Sequence, residues 1–86
     1  MSMVKAASFY QPNKDLLITL SQELKSIRKA KKLTIEQLSE LSGLHEKYLQ
    51  TIERDHRNMS ISVFVQIAKA LKVSPSKLLD KALKSS

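Results

Sequence analysis

Apolar side chains recur along most of the chain at intervals of three and four, the period of an amphipathic helix. The residues that start and stop helices divide the pattern into five stretches. The first opens at Asn13, a good N-cap, with Asp15 placed where an acid suits the helix dipole. Its stripe is Leu16, Leu20, Leu24 and Ile27, widened by Leu17, and Lys25, Arg28, Lys29, Lys31 and Lys32 suit its C-terminal end. The second opens at Thr34, with Gln37 three residues on to complete a capping box. Leu38 and Leu41 are expected to be its buried side, and Gly43 ends it where positive φ is needed. A third helix is predicted from about Glu46 to Arg54, with Leu49 and Ile52 inward and Glu46, Lys47, Gln50, Thr51 and Arg54 outward. After a polar turn over residues 55–58, Ser60 caps a fourth helix that buries Ile61, Phe64, Val65, Ala68 and Leu71. Ser74 followed by Pro75 starts a fifth, whose apolar face is Leu78, Leu79, Ala82 and Leu83.

These stretches predict an all-α fold, a five-helix bundle occupying residues 13–86. Residues 1–12 show no periodicity, end at Pro12, and are read as a flexible N-terminal arm. Phe9 and Tyr10 either belong to a partly ordered tail or dock on the domain or a partner. A single glycine and two prolines leave little turn chemistry for β-hairpins. With 86 residues the chain is near the lower end for an unaided core, and without cysteine it has no disulfide to help. Stability must come from helix packing, with a partner subunit as an optional further source.

Charge narrows the choice of partner. Fifteen Lys and Arg against eight Asp and Glu give +7, which points to a polyanion: nucleic acid or an anionic membrane surface. Several capped helices describe a bundle rather than one helix lying on a membrane, and no run approaches the roughly 18 apolar residues of a span. Met1 to Tyr10 holds one Lys and no long apolar stretch, so no secretory signal is expected and a cytoplasmic location is. His45 and His56 fall in different elements without cysteines nearby, so no metal is expected. No glycine-rich phosphate loop and no Ser/His/Asp set is suggested, so neither an enzyme, a cofactor nor a small-molecule ligand is expected.

The segment from Ile35 to Ile52 has the layout of a helix-turn-helix. Two short helices that cross steeply need a small contact residue, here Ser39, and a glycine turn, here Gly43. Leu38, Leu44, Leu49 and Ile52 anchor them, which frees the outer face of the second helix for a major groove about 12 Å wide. The run from Leu33 to Leu44, then Ile52-Glu53-Arg54, Arg57-Asn58 and the run from Ile67 to Ser74, closely resembles the phage repressor/Cro (XRE-type) helix-turn-helix domains. The resemblance covers roughly residues 20–80. Within that family, Leu44 to Arg54 followed by Arg57 to Ile61 looks most like the controller proteins of restriction–modification systems.

The resemblance implies a lambda-repressor-like bundle that binds double-stranded DNA as a homodimer on an inverted-repeat operator and regulates transcription. Helix five and the exposed part of helix four are then the candidates for the dimer interface. Lys47 and Thr51 align with base-reading positions, about one turn apart. Glu46 stands where an arginine or glutamine is common, and a carboxylate there either accepts from a cytosine amine or repels phosphates. Tyr48 either lies against the sugar-phosphate or a thymine methyl, or is a partly buried support. Gln50 is a candidate for phosphate. His45 either bonds a phosphate at the helix N-terminus or simply caps. Arg54 and Arg57 are expected on phosphate, Arg57 also on a base, unless they pair with surface acids. Arg28 and Glu53 are implied to form a structural salt bridge, and Lys29, Lys31 and Lys32 a solvated face. Ile35 stands where relatives often carry a phosphate-touching glutamine. The rival reading is an antitoxin or other protein-interaction module, for which residues 1–12 offer the one available extended segment.

Overall fold

The computed structural model describes residues 12–85, and among them every regular element is a helix. The N-terminal arm, apart from Pro12, lies outside the described residues. The helices are α1 (Lys14–Ala30), α2 (Ile35–Ser42), α3 (Glu46–Asp55), α4 (Ile61–Ala70) and α5 (Pro75–Ser85), so the helix-turn-helix is α2 and α3.

Each helix starts where a side chain can satisfy its open N–H groups. Asn13 Oδ1 accepts from the Leu16 N–H at 3.0 Å, and Ser60 Oγ accepts from Val63 at 3.1 Å. Thr34 and Gln37 form the complete capping box: Thr34 Oγ1 accepts from the Gln37 N–H and Gln37 Oε1 from the Thr34 N–H. Ser74 Oγ accepts from Lys77 at 3.3 Å ahead of Pro75.

The ends of α1 to α4 share a left-handed residue but not its type. Gly43 (φ 75°) ends α2, whereas Lys32 (φ 59°), His56 (φ 53°) and Lys72 (φ 60°) do the same work elsewhere. After α1 and α4 the pairing is that of Schellman caps: Leu33 N–H reaches the Arg28 carbonyl and Lys32 N–H that of Lys29, while Val73 reaches Ala68 and Lys72 reaches Lys69.

The core draws Leu20 and Leu24 from α1, Leu38 from α2, Leu49 and Ile52 from α3, Phe64, Ile67, Ala68 and Leu71 from α4 and its cap, and Leu78 and Ala82 from α5. α1 packs on α3 and α5, α2 on α3 and α4, and α4 on α5. Two expected core residues are not in it: Leu41 is 58% exposed and Ile61 70%, while Leu83, from the apolar face of α5, is 55% exposed. In α2 the buried line is Leu38 and Ser42, with Ile35 half-buried beside it, and at about 100° per residue Leu41 falls on the far side of Leu38. Ile61 is the first residue of α4 and lines an open groove with Met59 and Leu79. Leu83 lies one position past the buried Ala82 of α5. Val65, also read as buried, is half-buried.

Candidate nucleic-acid interface

α3 is divided lengthwise. Leu49 and Ile52 are almost wholly buried, at 1% exposure each, and Tyr48 is half-buried against the core. Tyr48 thus supports the helix from the core side and keeps part of its ring accessible. Glu46, Lys47, Gln50 and Arg54 are exposed and Thr51 half-exposed. The helix therefore holds its place by one face and presents polar groups on the other.

The turn that sets the angle of α3 is braced by two serines: Ser39, which motif reasoning read only as small, and Ser42, which it did not single out. Ser39 Oγ donates to the Leu44 carbonyl at 2.6 Å. Ser42, 3% exposed, accepts from the Leu44 N–H through its Oγ at 3.2 Å, and its carbonyl accepts from Gln66 Nε2 of α4 at 2.9 Å. A signal for both was in the sequence: hydroxyls flanking a lone glycine turn have backbone groups within reach that helix bonds do not satisfy.

Arg28 supplies the second brace. Its Nε and Nη2 donate to Glu53 Oε2 and Oε1 at 2.7 and 2.9 Å, and its Nη1 donates to the Leu33 carbonyl at 2.6 Å. Both side chains are about one-tenth exposed. This is the salt bridge between the first and third helices that the resemblance implied, and it ties α3 to α1 along the border of its polar face.

The sequence-predicted contact residues come together on one surface. His45 is the N-cap of α3, its Nδ1 accepting from the Lys47 N–H at 3.3 Å; with that nitrogen an acceptor, the neutral ring carries its proton on Nε2 and keeps a donor for a ligand. Lys47 and Thr51 are joined by the Thr51 hydroxyl donating to the Lys47 carbonyl at 2.7 Å, which leaves Thr51 its methyl and lone pairs to offer. Arg54 is paired on the surface: its Nε and Nη2 donate to Asp55 Oδ1 and Oδ2 at 3.2 and 3.3 Å. The hydrogen bond holds the Asp55 carboxyl below its ordinary value and raises the Arg54 guanidinium above its own. Arg57 is exposed just beyond the end of α3. The carboxylate of Glu46 is exposed in the first turn, where the helix dipole favours it.

Two further lysines border the surface. A groove between α1 and α3 is lined by Lys25, Lys29, Ile35, Gln50 and Arg54, with the Arg28–Glu53 pair at its floor. Lys29 was read as a solvated lysine, and it is exposed, as are Lys31 and Lys32. Neither Lys25 nor Lys29 was expected beside α3. Ile35 offers no donor and packs against the core. Among the described residues no cluster of His, Cys, Asp and Glu is able to hold a metal, and no helix is long and apolar enough to cross a membrane.

Residues 24–78 match the family described as Helix-turn-helix. Control protein C.SmaI of Serratia marcescens is 42% identical over 65 residues, spanning 76% of this chain and 77% of that protein. The crystal structure of the restriction-modification controller protein C.AhdI from Aeromonas hydrophila aligns with a TM-score of 0.67 at 39% identity, covering 72% of this chain and 94% of that one. C.Esp1396I bound to a 25 base pair operator site aligns with a TM-score of 0.74 at 36% identity, covering 80% of this chain and 91% of that one.

Proposed function

Because the chain belongs to the helix-turn-helix family and is akin within it to the restriction–modification control proteins, we propose that it is a sequence-specific double-stranded DNA-binding regulator of transcription that works as a homodimer on an inverted-repeat operator. The observation that carries this is the divided α3: one face locked into the core by Leu49 and Ile52, the other exposing Lys47, Gln50 and Arg54, with Arg57 beyond its end. The basic balance of the chain, +7, supplies the phosphate attraction.

In this reading α3 enters the major groove. Lys47 and Thr51 face base edges, Glu46 accepts from a cytosine amine, and Tyr48 supports the helix with its accessible edge against the backbone. His45, Gln50 and Arg54 meet phosphates, and Arg57 meets phosphate and an adjacent base. Lys25 and Lys29 flank the path of the backbone. One reading helix offers few base contacts, and a two-fold pair doubles them at half-sites about 34 Å apart. The pairing surface is α5 with the start of α4, where Ile61 and Leu83 are exposed and Leu79 half-buried. Regulation then follows protein concentration and dimerisation, in the cytoplasm, without an enzyme activity, cofactor or small ligand.

The test is selection from random duplex DNA at fixed moderate salt. Enrichment of an inverted repeat, lost in a folded Lys47→Ala/Thr51→Ala variant, is the expected result. Equal retention of every sequence, with affinity collapsing as salt rises, would leave only phosphate attraction and move a protein partner to first place. Sedimentation showing only monomer, with and without DNA, sinks the dimer.

A further inference from the structure

α3, like α1 and α4, ends on a left-handed residue other than glycine, and here its side chain reaches another helix. His56 is its C-cap in the left-handed conformation (φ 53°, ψ 43°), with its N–H on the Ile52 carbonyl at 3.1 Å. At the end of α2 the same job falls to Gly43, which takes positive φ without a side-chain penalty. A histidine carries that penalty, and its ring shows what it does there: Nδ1 is hydrogen-bonded to Ser21 Oγ of α1. Ser21 is fully buried, at 0% exposure, among the apolar residues of α1. Its hydroxyl also reaches back along its own helix, to the Leu17 carbonyl at 2.8 Å and that of Ile18 at 3.1 Å. The one Ser21 hydroxyl thus bridges its own helix and the His56 ring, the donor between ring and hydroxyl following the ring tautomer.

The reading helix is thus tied to α1 at two points, Glu53 on Arg28 and His56 on Ser21. The second tie lies immediately before Arg57, which is exposed and has no ion pair among the described residues. The direction in which residues 57 and 58 leave the helix follows the φ and ψ of His56, whose ring is anchored on Ser21 of α1. Backbone strain held in place by surrounding contacts is a recurrent feature of binding sites. We propose that His56 and Ser21 are a positioning pair that sets where Arg57 meets DNA, and through Arg57 sets the discrimination between operator and other sequences. The inference rests on the DNA-binding reading above.

The experiment uses two duplexes, the sequence that the wild-type protein enriches from a random pool and a random-sequence duplex of equal length, at one salt concentration. His56→Gly relieves the backbone and removes the ring, so the fold is retained while the exit of the chain is loosened. His56→Asn keeps a side chain suited to left-handed φ and places an amide near the position of Nδ1. Ser21→Ala removes the hydroxyl from a helix that tolerates alanine. His56→Gly and Ser21→Ala are expected to lose about tenfold in preference for the enriched duplex, the scale of one base contact, with random-duplex binding unchanged. His56→Asn is expected to restore most of the preference. In an Arg57→Ala background the effect of His56→Gly is expected to vanish, because the pair acts through that arginine.

An equal loss in both backgrounds, or a parallel loss on both duplexes with a lower melting temperature, assigns the pair a merely structural role and overturns the proposal. If Arg57→Ala lowers the preference and His56→Gly does not, the positioning inference fails alone. If the pool yields no enriched sequence, or Arg57→Ala leaves the preference intact, the reading of the interface fails first and takes the inference with it.

Discussion

Two arginine–carboxylate pairs involve neighbouring residues of α3, Arg28 with Glu53 and Arg54 with Asp55, and they differ in almost everything but chemistry. The first joins two helices through two parallel hydrogen bonds of 2.7 and 2.9 Å, and both side chains are about one-tenth exposed. The second joins sequence neighbours at 3.2 and 3.3 Å, with side chains 74% and 54% exposed. Burial removes water as a competitor, so Arg28 and Glu53 have only each other and the Leu33 carbonyl. Exposure leaves Arg54 a choice between Asp55, water and any phosphate that arrives. Ile52-Glu53-Arg54 reads as one motif, yet its acid holds α3 to the domain and its base is turned to the outside.

The sharpest way to break that contrast is to remove half of the buried pair. Glu53→Gln or Arg28→Met leaves the remaining charge buried without its partner, and such losses run to about 3–5 kcal/mol. For a domain of this size that is a large part of a total stability of about 5–15 kcal/mol. Urea unfolding should show it as a fall in midpoint at unchanged slope. Replacing both residues together, Arg28→Met with Glu53→Leu, should recover most of the loss, because no charge is then stranded. If either single variant melts like the wild type, the pair is not the brace described.

On the outer face the expected effects move from stability to discrimination. Lys47→Ala and Thr51→Ala delete groups from the exposed and half-exposed side of α3. Each should leave the unfolding midpoint within the small range of surface substitutions, about 0.5 kcal/mol, while weakening preference for the selected duplex by about 1–3 kcal/mol per lost base contact. Competition with random duplex at constant salt separates the two quantities. Equal weakening on both duplexes would reduce these residues to phosphate contacts.

The same contrast explains what was legible in the sequence. All five helices announced themselves, since Asn13, Thr34, His45, Ser60 and Ser74 are chemically suited to cap and do cap. The outer face of α3 followed from periodicity, because Leu49 and Ile52 fix which side is buried. The salt bridge came only through family resemblance; no local pattern couples residues 25 positions apart. Leu41 and Ile61 were misplaced because an apolar side chain near the end of a short helix obeys the period without having a neighbour to pack on. Lys32 and Lys72 gave no turn signal, since lysine rarely takes the left-handed conformation they hold. Ser21 was the missed clue. It sits in register with Leu17, Leu24 and Arg28 on the buried face of α1, and a polar residue in such a stripe calls for a partner, here His56.

The smallest expected effects belong to the exposed pair, and they have opposite signs. Arg54→Ala should leave stability nearly unchanged, since water and salt screen a fully exposed pair. On DNA it should remove one phosphate contact, lowering the slope of log affinity against log salt by about 0.9 and weakening selected and random duplexes alike. Asp55→Asn should do the reverse: it frees Arg54 and takes a negative charge from the edge of the interface, so both duplexes should bind slightly tighter. Acid supplies the same change without mutation, within limits set by sign. The Asp55 carboxyl is held below its ordinary value of about 3.9 in the folded chain. Whatever the pair adds to stability is therefore complete above that pH and is lost as pH falls through the lower folded value. Between pH 6 and 8 Asp55 stays charged, so any change of affinity in that range must come from other groups, and Asp55→Asn should leave the shape of the pH profile there unaltered. A variant that binds more weakly than wild type would mean that Asp55 orients Arg54 toward the phosphate instead of competing with it, and the exposed pair would then be a functional counterpart of the buried one.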